Sequence, residues 1–138
     1  MTIDEVLAAV KARLETIDGL TVTTDPGITV KAVPMAQVLD GQMEYHSTFG
    51  RGYDALSMSI TVYVSRVDSA EGVLEARDYK SGHGTKSIRA ALETAPSPDD
   101  GLEALVAVTG ETGTASDAEG TSWITMQMQA TAQIKGAA

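Results

Sequence analysis

A chain of 138 residues with 43% apolar side chains is the size of one ordinary domain and can bury a core, which excludes a disordered polypeptide and two comfortable domains. Nineteen acidic against ten basic residues give a formal charge of -9, unsuited to a non-specific grip on nucleic-acid phosphates or an anionic membrane. The absence of cysteine excludes disulfides, thiolate zinc sites and cysteine nucleophiles.

The charge is unevenly placed. Between Arg89 and Lys135 there is no basic residue, while Glu93, Asp99, Asp100, Glu103, Glu111, Asp117 and Glu119 are all acidic. Such a run reads as a solvated surface or as a face turned toward something it must not bind, such as passing DNA. No apolar run approaches the roughly 18 to 20 residues that cross a bilayer, and the acidic start (Asp4, Glu5) is unlike a signal peptide, so the expectation is a soluble chain retained in the cell that makes it.

In chain order, Ile3, Val6, Leu7, Val10, Leu14 and Ile17 recur at helical spacing and form one apolar stripe. Thr2 and Glu5 make a capping-box pattern, and Asp18-Gly19 ends the helix. Lys11, Arg13 and Glu15 lie off the stripe, on the expected water-facing side. Leu20–Thr24 reads as a short strand and Asp25-Pro26-Gly27 as a turn. Ile28–Val33 is a weak extended segment limited by Pro34, and Gln42–Ser47 begins a better strand. A hairpin tip follows at Phe49-Gly50-Arg51-Gly52.

The alternating run from Leu56 to Ser65 sets Leu56, Met58, Ile60, Val62 and Val64 against Ser57, Ser59, Thr61, Tyr63 and Ser65, a half-buried strand. Asp68 with Glu71 starts a second helix running to about Tyr79, interrupted by Ser81–Gly84. A third spans Lys86–Thr94, stopped by Pro96 and Pro98. Leu102–Thr109 reads as a strand, Gly110–Gly120 as a flexible acidic loop, and Trp123–Ile134 as a long closing strand that alternates cleanly.

This order predicts one α+β domain over residues 1–138, a mostly antiparallel sheet covered by helices on one face, with a protruding hairpin. The outer faces of the two long strands are Ser, Thr, Gln and aromatic. Such a face suits water, and equally suits another subunit, since neutral groups cost less to desolvate than charges.

The chain offers little for reaction chemistry. Ser81–Ser87 ends like a phosphate-binding loop, but Thr85 and Lys80 stand where glycines are needed and the segment follows a helix, so a helix break and recap is the better reading. His46 and His83 have no close partner for a transition metal. Asp40, His46 and Ser47 supply the letters of a catalytic triad without its geometry, because neighbours on a strand point to opposite faces. No catalytic, cofactor or metal residue is therefore assigned, and the chain is expected not to be an enzyme. The internal methionines read as core filling.

Taken together, Tyr45-His46-Ser47-Thr48-Phe49-Gly50-Arg51-Gly52, Asp54, Ile60-Thr61-Val62-Tyr63-Val64-Ser65-Arg66 and Ser87-Ile88-Arg89-Ala90-Ala91-Leu92-Glu93 resemble the tail terminator proteins of long-tailed, non-contractile (siphovirus-type) bacteriophages of actinobacterial hosts. The resemblance is a pattern across about residues 3 to 134. It implies a homohexameric ring at the tail–neck junction of the virion, assembled in the host cytoplasm. Such a ring caps the tail tube, ends polymerisation of the major tail tube protein, and joins a head–tail connector or stopper protein. Its central channel passes genomic DNA without specific binding, and no membrane is involved. The acidic 110–120 segment departs from the family pattern. A head-completion or stopper-type neck protein, and then a monomeric binding module, are the alternatives.

On this reading the expected subunit or tube interface comprises Tyr45, Phe49, Arg51, Tyr53, Tyr63, Arg66 and Trp123. Asp40, Glu44 and Asp54, with acids of the 93–119 stretch, are expected to face the channel, where their repulsion of phosphate reaches about 8 Å at physiological salt.

Overall fold

The computed structural model describes residues 2–24, 33–45, 53–66, 70–93, 102–116 and 119–135. Three helices, α1 (Ile3–Leu14), α2 (Ala70–Lys80) and α3 (Ile88–Glu93), accompany five strands, β1 (Thr21–Thr23), β2 (Met35–Glu44), β3 (Tyr53–Arg66), β4 (Leu102–Ser116) and β5 (Ser122–Lys135). The strands form one sheet in the order β1-β2-β3-β5-β4, with β1 parallel to β2 and every other pair antiparallel. The α+β class expected from the element order is what forms.

The helix α1 starts as its sequence dictates: Glu5 N–H donates to Thr2 Oγ1 at 3.2 Å, and Thr2 N–H donates to Glu5 Oε2 at 3.4 Å. Its stripe of Val6, Leu7, Val10 and Leu14 is buried. Arg13, expected to face water, instead donates from a guanidinium nitrogen to the Leu92 carbonyl at 2.7 Å, tying the flank of α1 to α3. Ile88 and Leu92 of α3 and Ala76 and Tyr79 of α2 join the same cluster as Leu56, Met58, Ile60 and Val62 of β3 and Met126, Met128, Ala130 and Ala132 of β5. One face of the sheet is thus the core face, and the helices cover it.

Four expectations need correction. The strand expected at Gln42–Ser47 starts seven residues earlier, at Met35. Pro34 stands just outside its first residue, where a missing N–H costs no ladder bond. Gly110–Gly120 is not a flexible loop over most of its length, because β4 continues to Ser116 with Gly110 opposite Met128 and Ser116 opposite Ser122. Poor local propensity is overridden there by a long, regular partner strand. Ser65 does not share a face with Tyr63: the register shifts between them, and Ser65 pairs with Ile124 on the core side. Finally, Tyr63 and Trp123 lie on the outer face as expected but are not open there: each is only 8% exposed, and they pack with Met35 and Ala115 in a second small cluster. The expected hairpin tip, including Phe49 and Arg51, and residues 28–32 of the weak extended segment lie outside the described residues.

Tyr79 titrates unusually. It is 1% exposed, and burial pushes its hydroxyl up to about 12, with Glu75 and Asp78 adding repulsion in the same direction. The folded state holds the proton after the unfolded chain has lost it, so this contribution to stability is constant below pH 10 and is lost as pH rises from 10 through 12. The loss reaches about 2–3 kcal/mol. Denaturation curves across that window are expected to fall more steeply for the native chain than for Tyr79→Phe. Parallel curves would contradict the assignment.

Candidate functional site

The sheet face opposite the helices is neutral and polar along its middle strands. Alternation fixes what it presents: Ser57, Ser59 and Thr61 from β3 lie beside Thr131, Gln129 and Gln127 from β5. Across these middle strands no charged side chain stands between Ala55 and Tyr63 or between Trp123 and Gln133. Gln127, Gln129 and Gln133 are exposed, and Ser59, Thr61 and Thr131 half-buried. On the flanking strand Glu111, opposite Gln127, brings a charge to this face.

Toward one end the face closes over. Met35 pairs with Tyr63, Tyr63 with Thr125, and Thr125 with Gly113, and Ala115 lies opposite Trp123. Thr125 is fully buried, and its Oγ1 has no hydrogen-bond partner among the described residues. Leaving a buried hydroxyl unpaired costs free energy that a methyl group of the same shape does not. Thr125→Val is therefore expected to stabilise the chain by about 1 kcal/mol, read as a raised denaturation midpoint. A loss of similar size would reveal a partner for the hydroxyl.

The residues singled out as interface do not converge. Tyr45, 70% exposed just beyond β2, and Tyr53, at the start of β3, belong to one end of the sheet. Tyr63, Arg66 and Trp123 belong to the other, with Arg66 opposite Trp123. Ten to thirteen residues of β3 separate the two groups, about 33–43 Å. Phe49 and Arg51 lie outside the described residues. The three acids gather near the Tyr45 end but do not share a face. Asp40 is level with Met58 and Asp54 with Ile134, on the core side of the sheet, whereas Glu44 pairs with Ala55 on the opposite side. Asp40 and Glu44 are exposed and Asp54 half-buried.

The segment that resembled a phosphate-binding loop joins α2 to α3. Ser87 Oγ accepts from Ala90 N–H at 3.0 Å and donates to the Ser81 carbonyl, which caps α3 and fixes the turn. A hollow of about 290 Å³ beside it is lined by Asp78, Ser81, His83, Gly84, Thr85 and Lys86. Lys86 leans on Glu75 at 3.7 Å and over the Tyr79 ring at 5.9 Å. Among the described residues no group of three or more His, Asp or Glu side chains is placed to hold a metal ion, and no helix is long and apolar enough to cross a membrane.

Sequence reasoning passed over the edges of the sheet. The edge strand β4 is long, and Val106 and Val108 on it are 48% and 61% exposed. Edge status is a property of strand order, and periodicity along one strand carries no signal of it. Comparison of the sequence with models of known protein families and with curated proteins found no match in either.

Proposed function

We propose that the chain is a structural subunit of a bacteriophage tail, a tail terminator that closes into a ring at the end of the tail tube. The observation that carries this reading is the neutral face of β3 and β5, exposed at Ser57, Gln127, Gln129 and Gln133 and free of charge, which favours burial against protein over any interaction with phosphate. The residue pattern around Phe49, Val62–Arg66 and Ser87–Glu93 supplies the family assignment. A heterologous contact repeated by rotation closes into a ring, and six copies of 14.4 kDa weigh about 86 kDa. The acidic balance keeps DNA moving past such a ring without holding it. The major tail tube protein on one side and a neck connector or stopper on the other are its partners.

The test is tube growth. With the chain added to polymerising tail tube protein, tubes are expected to stop at shorter lengths and to carry it at one end only. Tubes of unchanged length, with the chain unbound, would overturn the reading. Introducing charge on the open face by Gln129→Lys, which leaves the core untouched, is expected to weaken binding to the tail tube at least about tenfold while the chain stays folded, because an unpaired charge is expensive to bury.

A further inference from the structure

We infer that the ring joint is a sheet-edge contact: the open edge of β4 in one copy lies against the open half of β2 in the next. This rests on the ring reading and specifies its interface.

Among the described residues, β1 pairs only with Met35–Gln37, so β2 from Val38 to Glu44 has β3 on one side and no strand on the other. At the far side of the sheet β4 pairs, among the described residues, only with β5. These two open segments are level along the strand direction. Following the register across, Val38 aligns with Ile60, Met128 and Gly110, and Glu44 aligns with Ala55, Gln133 and Ala104. Since β2 and β4 run in opposite directions, copies set side by side bring them together antiparallel, so the sheet continues from copy to copy.

Charge selects this pairing over the alternatives. Lys80 and Arg89 stand beside Ala107–Gly110 around a cavity of about 200 Å³, with Lys80 packed over Gly110. Arg89 is engaged with Glu93 at 3.3 Å, whereas Lys80 makes no ion pair among the described residues. The β2 edge carries Asp40, on the same helix-covered side of the sheet as Lys80. Joining β4 to β2 sets Asp40 against Lys80 and covers Val106 and Val108. Joining β4 to β4 would set Lys80 against Lys80. The bulges at Asp40/Met43 and Ala107/Thr109 break each edge into short runs, which discourages indiscriminate pairing and leaves charge to choose the partner. Asp40, expected from sequence to face the channel, is thereby assigned to the joint.

A chain without cysteine suits disulfide trapping. Within one copy β2 and β4 are three strand spacings apart, about 14 Å, beyond the roughly 7 Å a disulfide spans. Thr109→Cys combined in turn with Leu39→Cys and with Gln42→Cys, oxidised at high protein concentration, is expected to give a ladder of linked copies from at least one combination and none from the β2 single variants. In parallel, Lys80→Glu and Asp40→Lys are each expected to weaken self-association by about three- to fivefold, and the two together to restore it to within about twofold. A ring mass with no linked copies and no charge rescue would overturn this joint and leave the ring reading standing. Thr109→Cys linking to itself would replace it by a two-fold contact, and a monomer at every concentration, alone and with tail tube protein, with no ladder would overturn both.

Discussion

Gly72→Val is expected to cost about 3 kcal/mol of folding stability, although glycine is a poor helix former and replacing it in α2 would ordinarily help by about 1 kcal/mol. The reason is contact. A Cβ at this position would lie 1.9 Å from Ser65 Oγ, 3.1 Å from Ser65 Cβ and 3.0 Å from Ile124 Cδ1. The serine hydroxyl and the isoleucine δ-methyl can rotate away, but Ser65 Cβ is held by the β3–β5 ladder, so α2 must shift by a few tenths of an ångström and the branched valine must find room between both neighbours. The register shift after Tyr63 is what turns Ser65 toward the helix and makes glycine necessary. Alanine brings the same Cβ with less bulk and is expected to lose about 1 kcal/mol after its helix preference is counted. Gly113→Ala is the control: nothing lies within 4 Å of its Cβ, and a strand glycine replaced in open space is expected to gain up to about 0.5 kcal/mol. Urea unfolding midpoints check all three, and an unchanged midpoint for Gly72→Val would show that α2 sits further from the sheet.

Ile60→Ala is expected to lose about 4 kcal/mol. Ile60 is fully buried on β3, between Val38 on β2 and Met128 on β5, with helices closing the layer above. The side chain removed is held by neighbours on both flanking strands, so the site collapses poorly and the cavity term adds to the transfer term. Domains of this kind are stable by about 5–15 kcal/mol, so one such change removes a large share. Ser59→Ala, one residue earlier on the opposite face, is expected to stay within about 0.5 kcal/mol. Equal losses at the two positions would mean that both faces are buried in the molecule tested.

Much of the core was legible because burial leaves a period. The helical stripe of α1 and the two-residue alternation of β3 and β5 name Val6, Leu14, Leu56, Ile60, Met126 and Ala132 as interior, and each is buried. Strand β2 was only partly legible, since Met35, Ala36, Gln37 and Leu39 have little strand preference and acquire it from pairing with β3. The second half of β4 was illegible for the same reason: Gly110 and Gly113 become strand because β5 lies beside them. The burial of Tyr63 and Trp123 could not be read from alternation, which marks two faces but does not say which stretch of the outer one is covered. The site shares this limit. Neutral polar residues on the outer face were readable one strand at a time, whereas the open edges, and the meeting of Lys80 with the β4 edge, exist only once the strand order is set.

The central claim is that copies of this chain close into a ring. Native mass spectrometry of the purified protein, alone and with tail tube protein, tests it most directly. The account predicts a closed six-copy species of about 86 kDa, and a 14.4 kDa monomer as the sole form of this chain under both conditions would contradict it.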